Sequence, residues 1–309
     1  MVKLIALADV HHSEEKWEQL VDVVRQQQPD IVAIAGDLML KSNGTLAQLD
    51  YLPHVKDCAW KIRGTGAELV LILGNDDNQL LIPEFKRGEK EGLWYYVADR
   101  VRKVRGYEFC GCPWIRDYPF AYKYWVAPDS KEELSINDWQ LGPPLLIDKM
   151  NKLKAIPDLE SYLQGKMSIM ESLEKMAAKV KNMKRSIWLI HEPPAYLGFD
   201  HCATGAKVGS PLVLNFISER QPLLTIHGHI HEAPKYNGGI WADRIGDTIC
   251  IQAGQPDHKL SYVTFELDES KVISCSHSVY GLSHLSQTKR ALAMQAVFLP
   301  SSSALFTSI

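Results

Sequence analysis

Three short apolar runs, separated by helical patterns, constrain the fold of this chain more than any other feature of its sequence. Residues 2–8 (VKLIALA), 31–35 (IVAIA) and 68–73 (ELVLIL) are almost entirely apolar, which is typical of strands buried on both faces. Residues 14–27 and 45–62 lie between these runs and are predicted to be helical. A β-α-β-α-β order requires crossover connections, so it predicts a parallel sheet covered by helices.

The second half of the chain extends the same pattern less regularly. Residues 186–190 (SIWLI) and 223–227 (LLTIH) predict two more buried strands, and a helix is expected between them over about 211–219. Residues 247–253 and 260–267 alternate in polarity and are predicted to be antiparallel strands.

The middle of the chain differs in composition from the rest. Residues 94–147 are rich in Trp, Tyr and Pro and predict strands and loops, followed by a helix near 158–183. Two roles are open for these aromatic residues: packing of a loop-rich layer, which is the commoner role, or a base-stacking surface. We predict that residues 94–185 form one side of a substrate cleft.

The length of the chain leaves its domain organisation open. A chain of 309 residues with 46% apolar composition can form one large α/β domain with an insertion, or two domains. We interpret residues 1–284 as one domain into which residues 94–185 are inserted. Residues 285–309 are interpreted as a poorly specified C-terminal tail, a loosely docked helix with a frayed end.

Charge and cysteine usage favour a cytoplasmic protein that does not bind nucleic acid. The net charge is −3 and the densest basic stretch is KNMKR at 181–185, so no nucleic-acid footprint is visible, although a basic groove formed in three dimensions stays open. We expect no signal peptide and no membrane span, because no apolar run approaches about eighteen residues. Cys110 and Cys112 lack a second pair at metal-site spacing, so buried or loop thiols are expected.

Polar side chains directly follow five of the predicted strands. In chain order they are Asp9 and His11, then Asp37, then Asn75 with Asp76 and Asp77, then His191, and finally His229 and His231. The carboxyl ends of strands are where ligands bind in open α/β sheets. Mixed Asp, Asn and His ligands suit divalent ions of intermediate softness, and this set is too large for one ion. The pattern therefore predicts a two-metal site in which Asp37 is shared.

The motifs DVH, GD, GND, a single His before Pro-Pro, and GHIH, in this order, resemble those of the calcineurin-like metallophosphoesterase family over roughly residues 1–265. The stretch from His191 to Pro234 is similar in detail to small prokaryotic members. The resemblance implies an α/β fold, a two-sheet β-sandwich flanked by helices in an α/β/β/α arrangement. It also implies a phosphoric ester hydrolase that uses two divalent metal ions.

The resemblance further implies a ligand set, residue by residue. Asp9, His11 and His231 would bind the first ion, Asn75, His191 and His229 the second, and Asp37 would bridge the two. A hydroxide between the ions would attack phosphorus in line with the leaving oxygen. Mn, Fe, Ni and Zn all accept these ligands, and Mn is favoured.

One position departs from the family pattern. Many members have His directly after the Asn, and that His is thought to protonate the leaving group or hold the phosphate. This chain has Asp76 there. Asp76 is a candidate general acid if its pKa is raised, and a supporting hydrogen-bond partner of His11 or a loop otherwise. The departure favours diesters with good leaving groups over monoesters.

The remaining site predictions concern the substrate. Arg116, His201 and Lys207 are candidate substrate contacts, and His227 is interpreted as a core or supporting histidine. The expected partner is a small phosphorylated substrate or phosphodiester, with nucleic acid disfavoured and the oligomeric state open. A protein-binding scaffold on the same fold is the alternative to an enzyme.

Overall fold

The structure is a computed structural model that describes residues 1–13, 15–39, 45–132, 134–148, 152–255 and 257–282. The strands are β1 (Val2–Leu7), β2 (Ile31–Ala35), β3 (Glu68–Ile72), β4 (Tyr95–Tyr96), β5 (Val101–Val104), β6 (Tyr107–Cys112), β7 (Leu145–Ile147), β8 (Leu153–Ala155), β9 (Ser186–Ile190), β10 (Leu224–His227), β11 (Ala242–Ile245), β12 (Thr248–Gln252), β13 (Val263–Asp268), β14 (Lys271–His277) and β15 (Gly281–Leu282). The α-helices are α1 (Glu15–Gln27), α2 (Thr45–Arg63), α3 (Ile82–Lys90), α4 (Leu159–Gln164), α5 (Ile169–Ala177), α6 (Pro211–Arg220) and α7 (Ala233–Tyr236).

Two large mixed sheets dominate the fold. The seven-stranded sheet has the order β15-β14-β13-β1-β2-β3-β4, and β1 to β4 are parallel as the β-α-β-α-β pattern predicts. The six-stranded sheet has the order β11-β12-β10-β9-β6-β5, with β6, β9, β10 and β12 parallel. The predicted two-sheet fold flanked by helices is therefore confirmed.

The strand β9 shows how the layers pack. Ile187 and Leu189 belong to the main core that also contains buried residues of β1, β2 and β3, whereas Trp188 and Ile190 belong to a second cluster with residues of α5 and α6. Alternate residues of a strand face opposite sides of a sheet, so β9 is buried between the other sheet and the helices. This explains why its sequence is apolar without alternation.

Two of the predicted elements differ from the structure. The helix expected near 158–183 is two helices, α4 and α5, because Ser168 caps a new helix: its hydroxyl accepts from Glu171 N and the Glu171 carboxylate accepts from Ser168 N. The strands expected at 247–253 and 260–267 lie in different sheets. The first of these strands, β12, is parallel to β10 and antiparallel to β11, and the second, β13, is antiparallel to β1 and β14.

Residues 94–185, which we interpret as an inserted segment, contribute β4 to the seven-stranded sheet and β5 and β6 to the six-stranded sheet, and then form loops. Strands β5 and β6 pair at the edge of that sheet, and β7 and β8 form a separate small hairpin. Cys110 and Cys112 are buried in β6 without a disulfide, as expected for core thiols. Among the described residues, no helix combines the length and apolarity needed to cross a membrane. The predicted tail, 285–309, lies outside the described residues.

Candidate metal centre

The carboxyl ends of five strands meet at one edge of the sandwich. Asp9, Asp37 and Asn75 follow β1, β2 and β3 of the seven-stranded sheet. His191 and His229 follow β9 and β10 of the six-stranded sheet. A hydrogen bond from His229 N to Asp9 Oδ1, 2.9 Å long, joins the two sheets at this edge. The residues that the sequence singles out are thus brought together from both sheets.

Three of these residues have a left-handed backbone conformation. The φ angles are 58° at Asp9, 55° at Asp37 and 70° at His229. This conformation is uncommon for residues other than Gly, and each instance costs on the order of 1 kcal/mol. Such residues cluster where function requires a particular side-chain direction. The backbone therefore turns each strand end so that its polar side chain points into the edge.

The glycines beside these residues allow a close approach to His191. A Cβ at Gly36, where φ is +99°, would lie 2.5 Å from His191 Nδ1. A Cβ at Gly228 would lie 2.8 Å from the same nitrogen, and one at Gly74 would collide with Asp37. The glycines are needed because side chains at these positions would occupy the space that holds the imidazole.

Asp37 lies at the centre of the cluster. Its Oδ2 is 3.8 Å from His11 Nε2 and 3.5 Å from His191 Nε2. Two groups of three side chains place one ligand atom each within 4.8 Å of one another, Asp9 with Asp37 and His191, and His11 with Asp37 and Asp76. Asp37 belongs to both groups, and its role as a ligand shared between two ions stays a prediction.

The other candidate ligands complete the cluster. Asn75 Oδ1 accepts hydrogen bonds from His191 Nε2 at 2.9 Å and from His229 Nδ1 at 2.5 Å. The rings of His11 and His231 are 5.5 Å apart. The structure thus places Asn75 beside His191 and His229, and His11 beside His231. The assignment of these residues to two separate ions stays a prediction, because Asp9 groups with His191 as well as with Asp37.

The hydrogen bonds of His191 direct its ring. Nδ1 donates to the carbonyl of Ala35 at 2.8 Å, which leaves Nε2 facing Asp37 and Asn75. A backbone partner on one imidazole nitrogen commonly orients the other nitrogen toward a metal. His191 is fully buried, so this orientation is fixed by packing as well.

The charges in the cluster are balanced only by unusual protonation. Burial raises the pKa of Asp9 to about 8, although His191 opposes the rise. Burial also disfavours the charged forms of Asp37 and His191, but their mutual attraction prevails. It holds the pKa of Asp37 well below its usual range and raises the pKa of His191 to about 10.

The donor atoms of the cluster are of the kinds that bind metal ions. Asp9 Oδ2 is buried and has no hydrogen-bond partner among the described residues, so a carboxylate oxygen is directed into the cluster without a donor. Buried carboxylates are costly unless a cation compensates them. Carboxylate, amide and imidazole donors are ligands that divalent transition metals accept. The residues therefore fit divalent metal ions.

Asp76 and Asp77 have different environments. Asp76 Oδ2 lies 3.3 Å from His11 Nδ1, and Asp76 N donates to Asp37 Oδ1 at 2.8 Å. The buried Asp77 carboxylate instead accepts the backbone N–H groups of Leu38, Met39 and Gly74, which ties together the loops after β2 and β3. Asp76 is thus beside the cluster, whereas Asp77 supports the loops around it.

A cleft of about 910 Å³ opens onto the cluster. Its lining includes residues of the cluster, namely Asp37, Asn75, Asp76, His229 and His231. Its aromatic wall, defined as Tyr118, Pro119, Phe120 and Trp139, belongs to the inserted segment. The lining also includes Glu232, Lys235, Tyr236, Asp257 and His258. The centroid of the Tyr118 ring lies 4.2 Å from that of the His229 ring, so residues of the inserted segment are in direct contact with a candidate ligand.

The predicted substrate contacts lie elsewhere. Arg116 donates to the carbonyl of Val208 at 2.6 Å and pairs with Asp129 and Glu192 at 3.5 Å. His201 and Lys207 pair with each other in a short antiparallel bridge. None of Arg116, His201 and Lys207 is in the described lining of the cleft, although their neighbours Cys202, Ala206 and Val208 are. Contacts of these three residues with a substrate stay predictions.

One residue that the sequence did not single out, Glu192, connects the wall to the cluster. Glu192, directly after His191, accepts from the Tyr118 hydroxyl at 2.9 Å and from Arg116 N at 3.1 Å. Burial raises the pKa of Glu192 to about 8, while Arg116 opposes the rise. His227 is fully buried and bonds the carbonyls of Ile190 and Glu192, as expected for a core histidine. The adjacent HEPP motif was the one available signal for Glu192.

Comparison with known protein families gives one result that matches this geometry. A model of the calcineurin-like phosphoesterases matches residues 2–233, most of the chain and all the strand ends described above. The chain belongs to the calcineurin-like phosphoesterase family. A comparison with curated protein sequences gives no match.

Solved structures with the same fold are remote in sequence. One chain aligns with a TM-score of 0.55 at 14% identity, over 91% of this chain and 99% of its own. The protein TT1561 of Thermus thermophilus aligns with a TM-score of 0.52 at 14% identity, over 88% of this chain and 96% of its own. A dimetal phosphatase from Danio rerio aligns with a TM-score of 0.48 at 11% identity, over 90% of this chain and 95% of its own. At 14% identity the first two likenesses show the fold alone.

Proposed function

We propose that this family member is a dinuclear metal-dependent phosphodiesterase that hydrolyses a small phosphodiester. The observation that supports this proposal best is the pair of three-residue groups that share Asp37. A shared carboxylate between two ligand groups is the arrangement that two-metal hydrolases use to clamp a phosphate. The proposed ligands are those implied by the family pattern: Asp9, His11, Asp37, Asn75, His191, His229 and His231.

Two divalent ions, when bound, would lower the pKa of a water molecule and neutralise charge on the phosphate oxygens. The chain itself orients the imidazole rings of His191 and His11. The bond from His191 Nδ1 to Ala35 keeps Nε2 directed into the site. Asp76 Oδ2 beside His11 Nδ1 directs the Nε2 of His11 toward Asp37 in the same way. We assign Asp76 this positioning role in preference to that of a general acid.

The charges around the cleft favour a diester over a monoester. Asp76, Glu232 and Asp257 line it, and the one described lysine in the lining, Lys235, lies 3.6 Å from Asp257. A phosphodiester carries one negative charge, whereas a monoester carries about two at neutral pH. Carboxylates in the lining repel the dianion more strongly than the monoanion. A diester with a good leaving group also needs no proton donor at the position of Asp76.

The test is hydrolysis of bis-p-nitrophenyl phosphate and p-nitrophenyl phosphate by protein stripped of metal and then given Mn²⁺. We expect Mn²⁺-dependent turnover with higher kcat/KM for the diester. Asp37→Asn should lower kcat/KM at least about a hundredfold, since it removes the shared ligand. Asp247→Asn is the matched control, because the Asp247 side chain is 84% exposed and pairs with Lys184 on the surface.

The outcomes separate the alternatives. Turnover that survives Asp37→Asn would contradict the two-metal proposal. A preference for the monoester would contradict the argument from the charged lining but leave the metal site intact. Folded, metal-loaded protein without turnover of either ester would favour the binding-scaffold alternative.

A further inference from the structure

The aromatic wall presents flat apolar surface directly beside the candidate metal ligands. The rings of Tyr118 and Phe120 are nearly parallel, at 11° with centroids 5.9 Å apart, and both meet the His229 ring edge-on. Trp139 lines the same cleft and is 63% exposed. An exposed Trp at the mouth of a cleft does not contribute to core packing in the way that buried aromatics do.

A buried network of hydrogen bonds holds this wall in place. Lys123 is fully buried, and its ammonium group donates at 2.6 Å to each of Asp117 Oδ1, the Tyr118 carbonyl and Gln140 Oε1. Asp117 Oδ2 accepts from Asn137 N at 3.0 Å and from the Gln140 side chain at 2.7 Å. Lys123 and Asp117 thus connect the segment of Tyr118 and Phe120 to the segment of Trp139.

The backbone of Trp139 is held by a further local contact. Its backbone N–H donates to Asn137 Oδ1 at 3.0 Å, and Asn137 N in turn is held by Asp117. Because hydrogen bonds already hold the backbone on either side of Asn137, binding of a flat group there costs less backbone entropy than ordering a free loop would. This is the property expected of a binding surface for a flat group.

We propose that the aromatic wall is a subsite for a flat aromatic group of the substrate, stacked on Trp139 and Phe120 while the phosphodiester lies over the metal ligands. The inference rests on the proposed function and names its substrate class as nucleoside or aryl phosphodiesters. Stacking on an aromatic side chain is tolerant of the identity of the flat group, because every such group has a π-face. The few cations in the described lining agree with a substrate recognised through one aromatic group and one monoanionic phosphate.

The test compares three diesters that have the same leaving group, p-nitrophenol, and differ in the retained group: thymidine 5′-p-nitrophenyl phosphate, phenyl p-nitrophenyl phosphate and methyl p-nitrophenyl phosphate. In wild-type protein with Mn²⁺ we expect kcat/KM to be about tenfold or more higher for the first than for the third. Trp139→Ala should bring this ratio close to one while turnover of the methyl ester is retained. The phenyl ester distinguishes the two sources of the ring: a value near the thymidine ester indicates a general aryl site, and a lower value a nucleobase site.

Trp60→Ala is the matched control. Trp60 is 68% exposed on α2 and is not part of the described lining of the cleft, so the same substitution there should leave the ratio unchanged. An unchanged ratio in Trp139→Ala would overturn the proposal. An equal fall for all three esters would also overturn it, because it would indicate a structural role for Trp139.

A binding measurement separates this proposal from the proposed function. Thymidine 5′-(methyl phosphate) should quench tryptophan fluorescence in the wild type and in Trp60→Ala but not in Trp139→Ala, and dimethyl phosphate should quench it in none of them. Quenching without turnover would support the subsite and contradict the phosphodiesterase. Turnover of the methyl ester without quenching and without a preference for the thymidine ester would support the phosphodiesterase and contradict the subsite.

Discussion

At the scale of single residues, the small space around the His191 ring limits which side chains can replace the neighbouring glycines. Gly36 and Gly66 both have left-handed backbones, with φ of +99° and +91°. They differ in surroundings: a Cβ at Gly36 would lie 2.5 Å from His191 Nδ1, whereas a Cβ at Gly66 would meet nothing within 4 Å. Alanine substitutions at Gly36 and Gly66 therefore separate the free-energy cost of a left-handed backbone from the cost of crowding the His191 ring.

We expect Gly66→Ala to lower the free energy of unfolding by about 1 kcal/mol, the cost of placing a Cβ in the left-handed region. Gly36→Ala should cost about 3 kcal/mol, because overpacking adds to the same backbone term. Gly36→Ala should also weaken Mn²⁺ binding by displacing His191. Urea denaturation of metal-free protein and Mn²⁺ titration measure the two effects. Equal destabilisation by the two substitutions would contradict the crowding argument.

The same scale shows what the sequence could and could not predict. Asp9, Asp37 and His191 were predictable because each directly follows an apolar strand, and parallel strands bring their ends to one edge. The link between Tyr118 and Glu192 was not, because these residues are 74 positions apart and meet only through the packing of a loop with no periodicity. For the same reason, Arg116 could be identified as a cation near the site but not as a partner of Glu192.

At the scale of elements, the loop that carries the aromatic wall depends on one buried ion pair. Lys123 and Asp117 are both buried, and their charged atoms are 2.6 Å apart. Lys61 and Asp57 on α2 have the same separation, 2.6 Å, but are exposed to solvent. Breaking a buried pair leaves an uncompensated charge, whereas breaking an exposed pair costs little.

Lys123→Met should therefore lower the free energy of unfolding by about 3–5 kcal/mol, and Lys61→Met by less than about 1 kcal/mol. Chemical denaturation of both variants measures the difference. If the wall is a stacking subsite, Lys123→Met should also reduce the preference for thymidine 5′-p-nitrophenyl phosphate over the methyl ester at temperatures where the variant is folded. Similar stabilities of the two variants would show that the loop does not depend on this ion pair.

Elements with regular periodicity were predictable, and those whose ends depend on caps or partners were not. The strands of the β-α-β-α-β unit were predicted within one or two residues because continuous apolar runs mark them. The break between α4 and α5 was missed because the capping box of Ser168 and Glu171 lies within a stretch that otherwise favours helix. The placement of β12 and β13 in different sheets depends on pairing partners distant in sequence, which alternation does not reveal.

At the scale of the whole molecule, the candidate metal centre joins the two sheets. Asp9, Asp37 and Asn75 belong to the seven-stranded sheet, and His191 and His229 to the six-stranded one. Burial raises the pKa of Asp9 to about 8. Burial opposes the charged form of His191, but the attraction of Asp37 outweighs it and raises the pKa of His191 to about 10, so both groups hold protons at neutral pH. Divalent ions would replace those protons and connect both sheets through one set of bonds.

Metal binding should consequently stabilise the whole sandwich. With free Mn²⁺ at a hundredfold excess over its Kd, the free energy of unfolding should rise by about 2.7 kcal/mol, provided that the unfolded chain does not bind the ion. In a chain of 309 residues, such a gain corresponds to a Tm increase of about 4 °C. Asp37→Asn should abolish the increase, and Asp247→Asn should keep it. Hydrogen exchange gives the sharper test, because ions held by both sheets should slow the exchange of amides in β2 and β9 together. Protection confined to one sheet would show that the ions are bound on that side alone, and the shared position of Asp37 would then have to be abandoned.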